Sequence, residues 1–519
     1  MSRAAVSPKT GPDGHLREVE LKLRVHPGDV KRLRARLDRF ASGRAMRIDN
    51  IYFDTAQRHL AAGKAALRLR CLAQGRGKRW VQTFKTEPIA GALSERGEWE
   101  TQAPGGRLDL DRLAHSPLAD LLGNAHGAGA ARANPPLLPV FQTVFDRTAW
   151  DIALRRSRIE AALDIGRIVA GDREETICEL ELELRDGSPA SLVDLALALA
   201  APARAGGSRL YLLPYGESKA VRGYRLASGD APPAARSMRT SKFRLAQDES
   251  VASGARRWLR VNLELLLAHV ARLDSPDATE HVHQARVCLR RMRAGLDMLG
   301  PRARIPVSLR GLLRRWSDRV GVARGWDVLC AQTLPALAAS VPGTDAVAWK
   351  AVAARAQAHQ RRARDTLRRQ VAKADFADFS LRMLKCCLET PDDRGATLEK
   401  FAPEAVKVQR RRLWKAAGEL AQMTLARQHK FRIQVKNLRY GIEMLRGIVG
   451  RKMHRLDLKA LARVQDRLGH SRDAALAVQT VRRLTRSTRI LQPLHTWAER
   501  EHGEQLAAAV REVARIRSD

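Results

Sequence analysis

The sequence predicts two folded regions of different class: an α+β first half built on antiparallel strands, followed by an all-α helical bundle with an internal duplication. Three observations carry this reading. Segments within the first 225 residues alternate charged and apolar side chains with the period of two that marks a half-buried strand. From about residue 245 Leu, Ala and Arg recur at the 3.6-residue spacing of amphipathic helices, with few β-branched runs. The helical half also contains one basic pattern twice.

In the first half the alternation identifies strands at 17–25 (REVELKLRV), 66–72, 79–85, 97–102 and 175–184 (ETICELELEL). Short helices fall at 29–40 and 189–200, the latter opened by Ser188 as cap and Pro189 at the first helical position. The Gly-, Ala- and Pro-rich stretch 123–136 reads as a loop. Residues 227–244 have linker composition and divide a first domain at 15–226 from a helical domain at 245–515. Within the helical domain HQARVCLRRMR at 283–293 matches HKFRIQVKNLR at 429–439, and SDRVGVAR at 317–324 matches QDRLGHSR at 465–472. The offsets, 146 and 148 residues, indicate two copies of one helical unit.

Composition narrows the chemistry. The 45% hydrophobic content supports folded cores, and no run of about eighteen apolar residues predicts a membrane span. The N-terminus lacks the apolar stretch of a secretory signal. Six scattered cysteines without ligand spacing read as reduced cytoplasmic thiols, not as disulfides or a zinc site. Charge is distributed unevenly. Residues 1–230 hold 36 basic and 28 acidic residues, a net of +8, whereas 231–519 hold 57 and 28, a net of +29. The second half therefore carries a field that attracts polyanions.

In the first half acids and bases sit on separate strand faces. Glu18, Glu20 and Lys22 share one face, as do Arg68 and Arg70, Arg96, Glu98 and Glu100, and Glu179, Glu181 and Glu183. Lys85 follows Thr83 on another strand, and Arg147, Asp164 and Lys219 add charges near strand ends. Faces of this kind converging inside a barrel would make a polar interior that demands a ligand, because buried unpaired charge is costly. Multivalent phosphate with Mg²⁺ supplies both missing partners: carboxylates hold a hard cation, and Arg and Lys hold phosphate oxygens.

The ordered set resembles the CYTH superfamily, the triphosphate tunnel metalloenzymes, over roughly residues 15–225. The resemblance implies an antiparallel β-barrel, an eight-stranded tunnel that holds a linear triphosphate. It implies phosphate contacts from Lys22, Arg68, Arg70, Lys85, Arg147 and Lys219. Metal contacts would come from Glu18, Glu20, Glu98, Glu100, Asp164 and two of Glu179, Glu181 and Glu183, with Mg²⁺ or Mn²⁺ as the cation and Glu18, Glu20 and Lys22 at the centre of catalysis. The implied chemistry is metal-assisted phosphoryl transfer to water. No Walker motif is present.

In the second half His283, Arg286, Arg290 and Arg293 fall within an arc of about 80° on a helical wheel. Leu289, Met292, Leu296 and Leu299 occupy a separate arc that faces a core. His429, Arg432, Lys436 and Arg439 repeat the basic arc, and Val435, Leu438, Ile442 and Leu445 repeat the apolar one. Two such helices about a pseudo-twofold would form one basic groove, with cations about 5–6 Å apart along a flexible phosphate chain. This half resembles the CHAD domain, a conserved-histidine helical domain associated with CYTH proteins and with polyphosphate binding. The copies differ in one acid: Asp473 directly follows Arg472, whereas Asp327 comes three residues after Arg324.

The expected protein is a hydrolase of inorganic triphosphate with a long-chain polyphosphate-binding domain, cytoplasmic and associated with polyphosphate granules. Thiamine triphosphate, a nucleoside triphosphate or a cyclase reaction are alternative uses of the tunnel, and a non-catalytic polyanion binder is another reading. Nucleic acid is expected only as a non-specific ligand, since no sequence-reading motif occurs. The sequence leaves the oligomeric state open.

Overall fold

The computed structural model describes residues 18–74, 77–86, 93–123, 135–204, 206–229, 243–340, 346–390, 395–449 and 451–518. Most of the expected loop at 123–136 and linker at 227–244 lies outside these residues. The chain forms two compact units: Met1–Ala234 with Ala372–Leu388, and Ala235–Val371 with Glu389–Asp519.

The first unit is built on ten strands: β1 Glu18–Val25, β2 Arg44–Asp54, β3 Ala65–Gln74, β4 Gly77–Thr86, β5 Leu93–Arg96, β6 Glu98–Gln102, β7 Leu138–Leu154, β8 Ser157–Ala170, β9 Arg173–Asp186 and β10 Leu212–Pro214. Every strand pairing is antiparallel, in the order β10-β1-β9-β8-β7-β2-β3-β4-β6, with β5 also on β1. The expected closed eight-stranded barrel is therefore corrected to an antiparallel sheet without continuous closure. The chain from 93 to 102 bridges the remaining edges as two short pieces, β5 on β1 and β6 on β4, interrupted at Gly97.

Strand alternation decides what faces where. Leu21, Leu23 and Val25 of β1 are buried on one face, while Glu20 and Lys22 on the other are only 2% and 5% exposed. The strand is thus covered on both faces, not half-buried as its pattern suggests. The helices interspersed with these strands are α1 Val30–Leu37, α2 His59–Ala62, α3 Leu118–Gly123, α4 Ala190–Ala200 and α5 Lys219–Ser228. Helix α4 packs on β1 and β9, and α5 packs on β7, β8 and β9. Tyr224 of α5 joins the aromatic cluster of Tyr52, Phe141 and Phe145.

The second unit is all-α. It comprises α6 Val251–Val270, α7 Ala278–Leu299, α8 Val307–Val328, α9 Leu334–Ser340 and α10 Ala346–Val371, then α12 Leu398–Ala417, α13 Leu425–Met444, α14 Arg451–Arg482 and α15 Thr488–Ser518. The apolar arcs read from the sequence are buried, from Leu289 to Leu299 on α7 and from Val435 to Leu445 at the end of α13. The two copies meet directly along α7 and α13. Arg291 donates to Glu443 at 2.7 Å, and Asn437 donates to Asp297 at 2.9 Å. These are the same contact made twice, since 291 corresponds to 437 and 297 to 443. A Cβ at Gly295 would meet the Met444 sulfur at 3.0 Å, and one at Gly441 would meet Met298 at 2.2 Å. Reciprocal contacts of this kind define a pseudo-twofold axis, and the absence of a side chain at each glycine lets the two helices approach.

One helix departs from the sequence reading. The segment α11 Ala374–Leu388 lies between α10 and α12 in the chain, inside the expected helical domain at 245–515, yet it belongs to the first unit. It packs on α4 and β10 and buries Phe376, Phe379, Leu381, Met383 and Leu384. Arg209–Asp378 at 2.9 Å and Lys385–Asp194 at 2.7 Å fix its ends. Among the described residues no helix is long and apolar enough to cross a membrane. All six cysteines are free thiols.

Candidate functional site

The inner faces of the sheet enclose a cavity of about 580 Å³ whose charged lining is nearly balanced. Among the described residues seven Lys and Arg and six glutamates face it. The cations are Lys22, Arg68, Arg70, Lys85, Arg147 and Lys219, all expected from the sequence, together with Arg185. Glu20, Glu98, Glu100, Glu181 and Glu183 were also expected, whereas Glu160 was not. Glu18 opens β1, and its side chain lies outside the described set, as does that of Arg96.

Behind one wall the charges are tightly paired. Arg147 and Asp164 face each other in register at the middle of β7 and β8, not near strand ends. Arg147 Nε and one terminal nitrogen donate to the two Asp164 oxygens, each at 2.7 Å, and the same nitrogen reaches Glu181 at 2.5 Å. Lys219, the first residue of α5, inserts its ammonium among Asp164 at 2.6 Å, Glu181 at 3.0 Å and Glu179. Ser218 caps that helix by accepting from Val221 N, which aims Lys219 inward. One and two turns on, Arg222 binds Glu175 and Glu179, and Arg225 binds Glu175 and Glu217. The 3.6-residue helical period places all three cations on the face that meets β8 and β9.

This pairing sets the proton affinities. Burial disfavours the charge of Lys219, but Asp164, Glu179 and Glu181 outweigh it and hold the ammonium above its ordinary range. Arg147 is likewise raised, with burial opposed by Asp164 and Glu181. Arg70 is the contrast. Among the described residues it has no ion-pair partner; its Nε donates to Asn50 at 2.9 Å, and Asn50 donates to Thr143 at 2.7 Å. Burial, with Arg68 and Arg147 nearby, pushes its pKa down to about 10. A cation desolvated and unpaired in this way gains most from an incoming phosphate oxygen.

Metal could be held by carboxylates here. One oxygen each from Asp164, Glu179 and Glu181 lies within 4.8 Å of the others. An all-oxygen, all-carboxylate donor set suits a hard cation such as Mg²⁺ or Mn²⁺. Asp164 and Glu179 are fully buried and already engaged by Arg147, Lys219 and Arg222. The acids that line the cavity itself are Glu20, Glu98, Glu100, Glu160, Glu181 and Glu183.

In the second unit α7, α8, α13 and α14 line a groove of about 890 Å³. Among the described residues it holds nine Lys and Arg and two histidines against two acids, Asp318 and Asp473. Seven of the eight residues expected from the basic arcs line it: His283, Arg286, Arg290, Arg293, His429, Arg432 and Lys436. Arg439 does not; its guanidinium lies over the Tyr440 ring at 4.6 Å, and the Arg290 guanidinium lies over the same ring at 4.9 Å. Arg314, Arg324, Arg472 and Arg483 are the lining cations that the arcs missed. Arg324 and Arg472 end the second repeated motif, so the repeat itself was their signal.

The duplication also explains how groove arginines are held. Arg286 donates to the Ser317 carbonyl and Arg432 to the Gln465 carbonyl, equivalent positions of α8 and α14. A Cβ at Gly321 would meet Arg286 at 2.9 Å, and one at the equivalent Gly469 would meet Arg432 at 2.7 Å. Glycine in each copy thus leaves the space in which the guanidinium lies. The copies diverge at the acid. Asp473 faces the groove, while Asp327 is fully buried away from it, accepting from Gln360 and Arg364, each at 2.8 Å.

Two family models match successive parts of the chain, the second running across α11. Residues 16–207 match the family model of the CYTH domain, and residues 257–482 match that of the CHAD domain. An inorganic triphosphatase of Haemophilus influenzae is 30% identical over 182 residues, 34% of this chain and 48% of that protein. The chain therefore spans about half the length of that curated relative. Among solved structures, the CHAD domain of the plant Ricinus communis is 23% identical, covering 53% of this chain and 96% of its own, with a TM-score of 0.46. A Hippeastrum protein with a dominant triphosphatase activity is 20% identical, covering 42% and 98%, with a TM-score of 0.28.

Proposed function

Since the chain carries a CYTH domain followed by a CHAD domain, we propose that its first unit is a metal-dependent hydrolase of inorganic triphosphate and its second a polyphosphate-binding module. The observation that carries this reading is the cavity lining of seven cations and six carboxylates on one inner surface. A phosphate sensor needs only the cations; the glutamates make sense with a divalent metal riding on the phosphate chain. The 30% identity to an inorganic triphosphatase over 182 residues supports the same substrate class.

Within this reading Arg70, Arg68 and Lys85 take phosphate oxygens, Arg70 foremost because its charge is not offset by a bound acid. Glu20, Glu98, Glu100 and Glu181 would hold Mg²⁺ or Mn²⁺, which neutralises phosphate charge and acidifies a bound water. Lys22, paired to Glu20, keeps that carboxylate oriented toward the cavity until substrate arrives. Arg147 and Lys219 hold the acids of the opposite wall in place, so their contribution to binding comes through positioning.

The aromatic lining favours an inorganic over an organic triphosphate. Tyr52 and Phe145 are the aromatic residues of the cavity wall. Tyr52 is stacked on Phe141 at 4.3 Å, and Phe145 is covered by Arg147 and Lys219. Among the described residues the cavity therefore offers no open ring face on which a base or thiazole could stack. The test is phosphate release from tripolyphosphate with and without Mg²⁺ or Mn²⁺, beside a Glu20→Ala control. Metal-dependent release that the control abolishes supports the reading. Release only from thiamine or nucleoside triphosphates moves the substrate, and no release from any of them leaves a binding protein.

A further inference from the structure

The groove concentrates cations without enough acids to balance them, and one of them, Lys436, has four arginines around it. Arg286 and Arg290 face it from α7, Arg432 from its own helix, and Arg472 with Asp473 from α14. Among the described residues Lys436 has no hydrogen-bond or ion-pair partner, whereas Arg286, Arg290 and Arg432 reach Ser317, Tyr440 and Gln465. Guanidinium groups keep their proton in such surroundings, but an ammonium can relieve the repulsion by releasing one.

We infer that the groove loads its polyphosphate together with protons, with Lys436 as the main acceptor and His283 and His429 adding to it. The inference rests on the polyphosphate-binding reading of the second unit and adds a linkage that the reading does not contain. The direction of the proton affinities agrees. Burial first, then Arg432, Arg290, Arg286 and Arg472, push Lys436 down to about 6. Burial and Arg324 lower His283, with Arg290 adding and Glu280 opposing. Burial with Arg472, Arg432 and Lys436 lowers His429. In the empty groove burial, reinforced by neighbouring cations, disfavours the charged form of all three. A phosphate chain laid across them supplies the negative charge that was missing, and each group then favours its protonated form. Binding must therefore consume protons from solution, and affinity must fall as pH rises.

The linkage has a quantitative form. For each proton taken up, affinity falls about tenfold per pH unit across the window in which the empty groove is neutral and the loaded one charged. A groove of fixed charges has no such slope, only a dependence on salt.

The experiment is isothermal titration of the full chain with polyphosphate of defined length, in buffers matched in pH and ionic strength but differing in ionisation enthalpy. The dependence of observed heat on buffer enthalpy counts protons directly. Near neutral pH the wild type is expected to take up about one proton or more per site, and Lys436→Arg about one fewer. Lys436→Arg is also expected to bind about tenfold more tightly than wild type at alkaline pH, because arginine is already charged. Binding without proton uptake overturns the linkage and leaves polyphosphate binding intact. Equal uptake in wild type and Lys436→Arg overturns the assignment to Lys436. Absence of binding at every pH overturns both the linkage and the reading on which it rests.

Discussion

The two units each gather cations on one concave surface, and they do it in opposite electrostatic states. In the first unit seven Lys and Arg residues face six glutamates, and the ammonium of Lys219 and guanidinium of Arg147 are held above their ordinary ranges by the acids around them. In the second, nine Lys and Arg residues face two acids among the described residues, and Lys436, Arg286 and Arg432 are all pushed down, by burial first and then by neighbouring groove arginines. A balanced cavity is stable while empty and exchanges one set of partners for another when metal and phosphate enter. An unbalanced groove is strained while empty and is relieved by its ligand. The first arrangement suits turnover, in which the product must leave; the second suits retention of a polymer.

The largest expected effect tests whether the balance in the first unit is structural. Lys219→Met leaves Asp164 and Glu179 buried with one cation fewer, and breaking such a buried pair costs about 3–5 kcal/mol. Thermal unfolding of the first unit should register that loss. A variant as stable as wild type would mean that the acids are hydrated or bound to metal in solution, and that Lys219 is not their counterion.

Arg70→Ala should behave in the opposite sense. It removes a cation with no acid partner among the described residues, so little stability is lost, but a developing phosphoryl charge loses a preorganised donor. Losing one such donor lowers turnover by about 10²–10³. Steady-state hydrolysis of tripolyphosphate, read beside the melting temperature, separates Arg70 from Lys219: activity falls without stability in one, stability with activity in the other.

The division into units can be broken at α11. Leu384 is buried in a helix that the chain supplies from between two helices of the second unit but that packs on α4 and β10. Leu384→Ala should destabilise the first unit by about 2–3 kcal/mol, the low end for a buried leucine on a peripheral helix. Because β10 pairs with β1 through Leu23, Arg24 and Val25, the faster hydrogen exchange should appear in those two strands. Exchange that quickens in α10 and α12 instead would return α11 to the second unit.

How far the sequence disclosed this arrangement depended on whether a residue's partner was encoded nearby. The strand faces of Glu20 and Lys22, and of Arg68 and Arg70, were readable because alternation shows in a strand with one apolar and one charged face. Strands β7 and β8 were not, because apolar residues occupy both faces: Val140 and Val144 alternate with Phe141, Thr143 and Phe145, and β8 buries Ala161, Ala162, Leu163 and Asp164 in succession. The pairing of Lys219 with Asp164 joins residues 55 apart and leaves no local trace. The amphipathic stripe of α11 was visible as a stripe, but periodicity does not say which core a helix joins. Duplication, by contrast, carried long-range information. It announced the pseudo-twofold, the buried arcs and seven of the eight groove residues, and failed at Arg439, which turns onto Tyr440.

The smallest effect expected comes from an acid that only one copy presents to the groove at this position. Asp473 follows Arg472 in the second copy, and Gly325 follows Arg324 in the first. The carboxylate of Asp473 faces Arg432, Arg472 and Lys436 and competes with phosphate for them. Removing it in Asp473→Asn should tighten polyphosphate binding by a few-fold, in keeping with the ~1 kcal/mol or less of a solvent-facing pair. A Cβ at Gly325 meets nothing within 4 Å, so Gly325→Asp fits and should weaken binding by a similar factor. Opposite shifts from the two variants would identify the acid as a built-in competitor that limits how firmly the groove holds its polymer. Shifts of the same sign would mean that Asp473 positions Arg432 and Arg472, and that the difference between the copies is one of geometry.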